Sequence, residues 1–478
     1  MSENPKGSTP PVNFGVVIYP TFQALDTFGP LDALNILSMS HPMNLSVIAQ
    51  TLDPVSTKQR DPALNKFNSN FGQSVVPTHS FDNAPPLDVL LIPGGYGTEA
   101  DDIQPAIDFI QKTYPSLKYI ITVCNGSWLA ARAGILDGKR ATSNKESWDR
   151  TKVAGPNVKW VSHARWVVDG NIWTASGVSA GIDATLAFIE EVYGSKAADE
   201  IANVMEYDRH RDSSWDPFAE KFNLPKENQQ VTRARLGSYK SAVMNDKTTK
   251  MANNQKGSLP TNFGVLLYPT FQALDAFGPL DALNILSMSF PINLSIIAQS
   301  LDPVSTKHRD PSLNKPNSNF GESIVPTHTF DNAPPLDVLL IPGGYGVRAD
   351  DIQSAIDFIR RTYPSLKHVI TVCTGSWLAA RAGILDGKRA TSNKRSWAGT
   401  KVAGPNVKWV SHARWVVDGN VWTSSGVSAG IDVVLAFIEK EYGASVADEV
   451  TNIMEYDRHT DSSWDPFAEK YDLPKENE

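Results

Sequence analysis

Cysteine is nearly absent from this chain of 478 residues, which contains only two. So few cysteines exclude a disulfide scaffold, and they also exclude a zinc or iron–sulfur module built from cysteine ligands. Because structural disulfides belong to oxidising compartments, the composition is typical of a protein from a reducing one.

The chain also lacks an excess of charge of one sign and any long apolar run. Its 44 basic and 52 acidic residues give a net charge of −8, which excludes a strong attraction to nucleic acid or to an anionic membrane. The longest apolar runs, such as Val89 to Ile92, are far shorter than the roughly 20 residues that span a bilayer. The segment Met1 to Ser8 is polar, unlike a signal peptide. These features predict a soluble cytoplasmic protein with a small, neutral, apolar substrate and with neither a nucleic-acid nor a membrane partner.

Motifs for metal and nucleotide chemistry are missing too. The sequence has no HExxH, CxxC, P-loop or GxGxxG pattern, so it predicts neither a metal site nor a bound cofactor. Histidines recur in pairs, but none has a spacing that places it beside a cysteine. His163, for example, is expected to be an ordinary strand residue.

What the chain does contain is one long segment that occurs twice. Residues 13–227 align with 262–476 at a constant offset of 249 without a gap, and 176 of these 215 pairs are identical. Met251 to Ser258 resembles Met1 to Ser8, so either a whole coding unit was copied head to tail or an incorrect gene model joins two adjacent genes. We predict one domain over 12–227, a linker over 228–260 and a second domain over 261–478. The linker is rich in lysine and arginine, and a solvated connection is favoured over an anion-binding role.

Within each copy, apolar strands alternate with amphipathic helices. This alternation predicts a mostly parallel sheet with helices on both faces, that is, a flavodoxin-like α/β three-layer sandwich present twice. The strands predicted in the first copy are 14–19, 45–49, 88–92, 118–123, 158–161, 165–168 and 172–175. The predicted helices are 24–38, 101–114, 128–133, 181–193 and 197–209.

The two cysteines, Cys124 and Cys373, occupy equivalent positions. Each follows a buried-type strand and precedes a helix, with a glycine two residues later, which is the pattern of a nucleophile elbow. Such a turn holds the sulfur at the carboxyl edge of the sheet, where open α/β folds bind ligands. The N-terminus of the following helix is expected to lower the pKa of the thiol and so to favour thiolate. The alternative is a buried structural cysteine.

Two further features follow other strands in each copy. Gly94 and Gly95, repeated as Gly343 and Gly344, could turn backbone N–H groups towards a ligand as an oxyanion hole requires, or could simply form a turn. Asp26, repeated as Asp275, lies among apolar residues after the first strand. Burial would raise the pKa of this carboxyl and make it a proton donor, whereas the alternative is an acid that caps or begins a helix.

Four segments of the sequence together resemble the ThiJ/PfpI family of the class I glutamine amidotransferase-like superfamily. The motifs Leu-Asp-x-x-Gly-Pro, Val-Cys-x-Gly-Ser and Gly-Val-Ser-Ala-Gly-Ile-Asp are most similar to its isonitrile hydratase branch. The protease and glyoxalase branches usually carry a histidine beside the cysteine or a glutamate on the first loop, and this sequence has neither. The four segments in the first copy are Asn13–Val17, Asp88–Gly95, Val123–Ser127 and Ser176–Asp183.

The resemblance implies the hydration of an isonitrile to an N-substituted formamide by a hydro-lyase that needs no cofactor. The family pattern is an aspartate, a nucleophilic cysteine and a threonine directly after it. Copy two has all three as Asp275, Cys373 and Thr374, whereas copy one has Asn125 at the threonine position. Because an amide cannot replace a hydroxyl that shares a proton with water, copy two is expected to be the more active.

Two other function classes remain open. One is a different cofactor-free cysteine enzyme of the same fold, glyoxalase-like or amidase-like, and the other is a non-catalytic binding or redox-sensing protein. Members of the family commonly pair as homodimers, which implies that the two copies form an internal pseudo-dimer.

Overall fold

Apolar strands and the helices between them form two sheets of seven strands, one in each copy of the repeat. The structure is a computed structural model that describes residues 9–226 and 259–475. The predicted linker, 228–260, lies outside these residues apart from positions 259 and 260, and the predicted domain boundaries stay predictions.

The first copy contains strands β1–β11 and helices α1–α7. The strands are β1 Asn13–Val17, β2 Asn44–Ala49, β3 Val55–Ser56, β4 Ser74–Val75, β5 His79–Ser80, β6 Val89–Ile92, β7 Tyr119–Val123, β8 Arg140–Ala141, β9 Lys159–Trp160, β10 Trp166–Asp169 and β11 Ile172–Ala175. The helices are α1 Ala24–Leu37, α2 Gln104–Thr113, α3 Gly126–Arg132, α4 Trp148–Ala154, α5 Val178–Tyr193, α6 Ser195–Met205 and α7 Pro217–Lys221.

The second copy repeats these elements in the same order. Its strands are β12 Asn262–Leu266, β13 Asn293–Ala298, β14 Val304–Ser305, β15 Ser323–Ile324, β16 His328–Thr329, β17 Val338–Ile341, β18 His368–Thr371, β19 Arg389–Ala390, β20 Lys408–Trp409, β21 Trp415–Asp418 and β22 Val421–Ser424. Its helices are α8 Ala273–Ser287, α9 Gln353–Thr362, α10 Gly375–Arg381, α11 Trp397–Ala403, α12 Val427–Tyr442, α13 Ala444–Met454 and α14 Pro466–Lys470.

The strand order brings the loops that carry the candidate residues to one edge of each sheet. In the first copy the order is β10-β11-β7-β6-β1-β2-β5, and all neighbours are parallel except β10 and β11. The carboxyl ends of β1, β6 and β7 are therefore adjacent. Asp26 lies in the first turn of the helix that follows β1, and Gly94 and Cys124 lie in the turns that directly follow β6 and β7.

Helices cover both faces of each sheet. In copy one, α1, α5 and α6 pack together on one face, and α2 and α3 pack together on the other. The predicted flavodoxin-like sandwich, present twice, is confirmed. Among the described residues, no helix combines the length and the apolar composition that crossing a bilayer requires.

The two copies pack against each other through α1 and α8. Every residue of α1 is buried, because the helix lies between its own sheet and α8 of the other copy. The rings of Phe28 and Phe277 stack across this contact with their centres 4.1 Å apart. A small sheet also joins the copies, since β4 and β15 pair antiparallel at Val75 and Ile324.

Several predicted helix boundaries differ from the structure, among them 128–133 and 181–193, which are Gly126–Arg132 and Val178–Tyr193. Two other differences have identifiable reasons. The helix predicted over 101–114 begins at Gln104, because residues 101–103 form a separate 3₁₀ turn. The helix predicted to reach Arg209 ends at Met205, because Glu206 adopts a left-handed conformation with φ of 51°. The same ending recurs at Glu455, with φ of 49°.

Candidate active site

Each cysteine lies at a sharp turn between a buried strand and a short helix. Cys124 and Cys373 have φ of 57° and 56°, in the left-handed region that non-glycine residues rarely occupy. This turn directs the chain from the sheet into α3 or α10, as the sequence predicts for an elbow. Both cysteines are free, and each residue as a whole is half-buried.

The aspartate of each copy lies buried beside its cysteine. Asp275 is completely buried in the first turn of α8, and its charge raises the pKa of the Cys373 thiol. The residue that precedes α8 as its cap is Gln272, so Asp275 is not a helix cap, but it is an acid of the first turn, as the other form of that alternative predicts. Burial, followed by the charge of Asp32 from the other copy, raises the pKa of Asp275 well above its usual range, as expected for a proton donor.

Backbone N–H groups of the glycine pair hold the polar side chains of the site. Gly343 donates to Asp275 Oδ2 at 3.1 Å, and Gly344 donates to Thr374 Oγ1 at 3.1 Å. Gly94 and Gly95 engage Asp26 and Asn125 in the same way, at 3.1 and 2.7 Å. An oxyanion at these groups would have to compete with those hydrogen bonds, so their role as an oxyanion hole stays a prediction.

Two features require glycine at this loop. A Cβ atom at Gly343 would approach both Asp275 Oδ2 and the backbone nitrogen of Thr374 to 2.7 Å. Gly344 has φ of 132°, which side chains rarely tolerate. The glycine pair therefore lets the loop approach the elbow closely enough to bond the aspartate and the threonine.

The expected lowering of the thiol pKa is wrong in direction. Burial raises the pKa of Cys373 well above its usual value, and the charges of Asp275 and Glu206 raise it further. A hydrogen bond from the backbone of Thr374 opposes this shift but does not overcome it. The helix that follows has only seven residues, so its dipole is outweighed by desolvation and by two neighbouring carboxyls. The resting group is a thiol rather than a thiolate.

Glu206, which belongs to the sequence of copy one, lies in the site of copy two. Its Oε1 accepts hydrogen bonds from the backbone N–H groups of Lys394 and Arg395 at 2.5 and 2.9 Å. Burial raises the pKa of Glu206 to about 8, although the nearby Lys394 lowers it. Glu455 has the reciprocal role at residues 145 and 146 of copy one.

A cavity of about 720 Å³ opens onto Cys373. Thr374, Trp377 and Gln272 line it, and Val204 of copy one completes its wall. Three arginines, Arg348, Arg381 and Arg395, also line this cavity, and the rest of its wall includes Gly344, Tyr345, Val347, Ala398 and Gly399.

The sequence analysis missed Arg348 and Arg395, and it also missed the contribution of each copy to the other's site. The arginines could have been found by asking which of the differences between the copies change charge near the elbow, since glutamates occupy the equivalent positions, 99 and 146. The contribution of Glu206 had no comparable sequence signal, because it depends on how the two copies pack.

The predicted site residues thus converge, and comparison with known proteins places the fold in a family. The sequence profile of the DJ-1/PfpI family matches residues 15–191 and 264–440, one match for each copy. The chain belongs to the DJ-1/PfpI family. The match in both copies also supports the tandem duplication.

Several known proteins are similar to this chain. An isonitrile hydratase of Pseudomonas putida is 36% identical over 196 residues, which are 40% of this chain and 77% of that protein. The HTH-type transcriptional regulator GbdR of Pseudomonas aeruginosa is 32% identical over 138 residues, 29% of this chain but only 37% of the regulator. A solved ThiJ/PfpI family protein of Pseudomonas syringae has 29% identity and a TM-score of 0.36, and the match covers 44% of this chain and 80% of that one.

Proposed function

We propose that the chain hydrates isonitriles to N-substituted formamides and that copy two carries most of the activity. The observation that carries this proposal is a cavity lined by Cys373 and Thr374 with the buried Asp275 beside the cysteine. The carboxyl of Asp275 and the hydroxyl of Thr374 are both held by glycine N–H groups. The 36% identity to an isonitrile hydratase supports it.

The first step forms a bond between Cys373 Sγ and the isonitrile carbon. The carboxyl of Asp275, whose raised pKa favours the protonated form, gives its proton to that carbon and receives the thiol proton in exchange. The product is a thioimidate, R–N=CH–S–Cys, and the aspartate is protonated again. Because the proton exchange restores the acid, a buried carboxyl and an un-ionised thiol are sufficient for this step.

Water completes the reaction. It adds to the thioimidate carbon, and its proton passes to the nitrogen, giving R–NH–CH(OH)–S–Cys. Collapse of this adduct breaks the C–S bond, returns the hydroxyl proton to sulfur and releases R–NH–CHO. Thr374 Oγ1 accepts from Gly344 N–H at 3.1 Å and donates to the Gly344 carbonyl at 3.4 Å, and its second lone pair can accept from the water and orient it.

Copy one has the same cysteine and aspartate but a different partner at position 125. Asn125 binds Gly95 with both ends of its amide, accepting from the N–H at 2.7 Å and donating to the carbonyl at 3.3 Å. It offers no hydroxyl for the water step, so we expect copy one to be slower.

The test is conversion of an aryl isonitrile to its formamide by the wild type and by three cysteine variants. We expect Cys124→Ala to keep most of the activity, Cys373→Ala to lose it by about a thousandfold, and the double variant to be inert. If the wild type and Cys373→Ala are equally inert, the hydratase proposal is wrong. Turnover of a 2-oxoaldehyde instead would favour the glyoxalase-like alternative.

A further inference from the structure

The rims of the two cysteine sites carry opposite charge. Four positions around the elbow of copy one hold three acids and one arginine, a net charge of −2, whereas the equivalent positions of copy two hold two arginines and no acid, a net charge of +2. Most of each copy is identical, so a reversal confined to one rim is a local difference between the sites. The pairs are Glu99 and Arg348, Glu146 and Arg395, Asp149 and Ala398, and Arg150 and Gly399.

In copy one, the rim cation is already neutralised. Arg150 binds Glu99 at 2.7 Å, and its guanidinium lies 6.0 Å from the ring centre of Trp128. Glu146 adds a further carboxylate near the same elbow, since its charge contributes to the raised pKa of Cys124. A negative group on a substrate would therefore meet a net negative rim.

In copy two, both cations are available to a ligand. Arg348 stacks over Trp377 at 4.9 Å, and Arg395 donates to the Tyr345 hydroxyl at 3.5 Å. Within residues 9–226 and 259–475, neither guanidinium has a carboxylate partner. Gly399 carries no side chain where copy one has Arg150, and the ring of Trp377 packs 2.5 Å from where its Cβ would lie. Arg348 and Arg395 both line the cavity that reaches Cys373.

We propose that the Cys373 site takes isonitriles that carry an anionic group, such as a carboxylate, on the part of the molecule remote from the reacting carbon. This inference rests on the proposed hydratase function and names the substrate class for copy two. It departs from the neutral substrate that the overall composition predicts, because the global charge of −8 does not describe this rim. The negative rim of copy one selects against the same substrates.

The expected size of the effect follows from the exposure of the two arginines. Both side chains are exposed, so water and salt screen them, and the interaction is weaker than a buried ion pair. Charge-assisted hydrogen bonds from both arginines to one carboxylate should still favour the carboxylate substrate over its neutral ester, by about tenfold or more in kcat/KM.

The matched probes are 4-isocyanobenzoate and its methyl ester, and each copy is isolated in the full chain by removing the other cysteine. We expect the acid-to-ester ratio of kcat/KM to be at least about tenfold higher for Cys124→Ala than for Cys373→Ala, and to fall as salt is added. Comparing the two variants cancels the intrinsic difference in reactivity between the probes.

Arginine variants test the assignment directly. In the Cys124→Ala background, the double substitution Arg348→Gln with Arg395→Gln should lower the acid-to-ester ratio about tenfold. Arg360→Gln is the matched control, because Arg360 is an exposed arginine on α9 that pairs with Asp357 instead of lining the cavity. An equal ratio in both copies, or a ratio that the double substitution leaves unchanged while the ester is turned over, overturns the charge inference but not the hydratase function.

Binding gives a readout that does not depend on turnover. By calorimetry we expect 4-formamidobenzoate to bind the full chain about tenfold more tightly than its methyl ester, and to lose this advantage in the Arg348→Gln, Arg395→Gln variant. If neither isonitrile reacts but this preference is found, the hydratase function is wrong and the anion site stands. Equal affinities for acid and ester refute the anion site.

Discussion

At the scale of single residues, the chemistry of the site is governed by desolvation. Asp275 and Cys373 are both in surroundings that disfavour charge, and each carries a raised pKa chiefly for that reason. Because the raised pKa values favour the protonated carboxyl and the neutral thiol, this pair can exchange protons with a substrate while the net charge of the site stays the same. This arrangement suits a neutral electrophile whose carbon must receive a proton.

The first prediction concerns the pH dependence of copy two. The pKa of Asp275 is raised, so the acid form persists above the ordinary carboxyl range and is lost only as the pH rises through the raised value. For Cys124→Ala, kcat/KM measured from about pH 5.5 to about pH 9.5 should be flat at low pH and fall only on the alkaline side.

Asp275→Asn serves as the control for this profile, because it should lower the rate by about a hundredfold or more and remove the alkaline fall that the carboxyl causes. The uncatalysed acid hydrolysis of the isonitrile is subtracted with the double cysteine variant. A rate that rises with pH from the ordinary carboxyl range upward would mean that the ionised aspartate is the active form.

The second prediction concerns the residue after each cysteine. Asn125→Thr, measured in the Cys373→Ala background, should raise the activity of copy one because it supplies the missing hydroxyl. Thr374→Asn in the Cys124→Ala background should lower the activity of copy two by about tenfold or more. If neither exchange changes the rate, the hydroxyl has no part in the water step.

At the scale of elements, the ends of α6 and α13 link the two sites. Each helix stops at a glutamate in the left-handed conformation, and this turn directs the side chain into the other copy. There the carboxyl of Glu206 accepts hydrogen bonds from the backbone N–H groups of Lys394 and Arg395. Gly426 permits the contact, because a Cβ atom at that position would lie 2.2 Å from Glu206 Cβ. A residue of one copy therefore positions the site of the other.

The third prediction is that Glu206→Gln changes Cys373 but not Cys124. The variant keeps an oxygen acceptor for the two N–H groups and removes a charge that raises the pKa of the Cys373 thiol. At about pH 8.5, where Glu206 is largely ionised in the wild type, alkylation of Cys373 should therefore be faster, by roughly the tenfold that one pKa unit represents at most.

Peptide mass spectrometry measures both cysteines in one sample. Glu455→Gln is the reciprocal control, because the charge of Glu455 raises the pKa of Cys124. It should accelerate alkylation of Cys124 alone. Equal acceleration of both cysteines by either variant would indicate general loosening of the fold rather than a local charge effect.

At the scale of the whole molecule, the contact between the copies contains buried carboxyls. Asp32 accepts from Gln272 at 2.6 Å, and Asp281 accepts from Gln23 at 2.5 Å across the α1–α8 contact. Burial raises the pKa of each aspartate to about 7. Because Asp32 in turn raises the pKa of Asp275, the same contact that joins the copies tunes the acid of the site. That the pair of copies corresponds to a family homodimer stays a prediction.

The fourth prediction is that the molecule loses stability as the pH rises towards 8. In the unfolded chain these carboxyls ionise near pH 4, whereas in the folded chain Asp32 and Asp281 ionise only near 7. Between those values the folded state binds more protons, so the free energy of unfolding falls as the pH rises through about 7. The unfolding temperature should be several degrees lower at about pH 8 than at about pH 6.

The variant Asp32→Asn with Asp281→Asn tests the cause of this slope. Asparagine keeps an oxygen acceptor for each glutamine but does not titrate, so the difference between the two pH values should shrink. Asp351→Asn is a suitable control, because that aspartate is exposed on the surface and pairs with Arg309. A pH slope that the double variant leaves unchanged would assign the effect to other groups.

The fold was largely predictable, because its signals are local. Apolar runs such as Val89–Ile92 specify buried strands, and the helices between them indicate that the strands pair in parallel. Because the two copies are so similar, each of these predictions holds for both. The short strands β3, β4 and β8 were not predicted, because two residues show no periodicity. The turn at each cysteine was predictable for a different reason, since a strand, a cysteine and a nearby glycine form a recognisable local motif.

The sequence by itself determined the duplication, the sandwich in each copy and the elbow at each cysteine, whereas the meeting of Asp26 and Asp275 with the cysteines depended on the strand order. Only the tertiary structure decided that the thiol is un-ionised, that glycine N–H groups hold Asp275 and Thr374, and that Glu206 reaches Cys373 from the other copy. The physical reason is the distance along the chain over which each interaction acts. Strand and helix patterns are written over a few consecutive residues, whereas a pKa or a shared cavity depends on desolvation and charge from residues far apart in the chain.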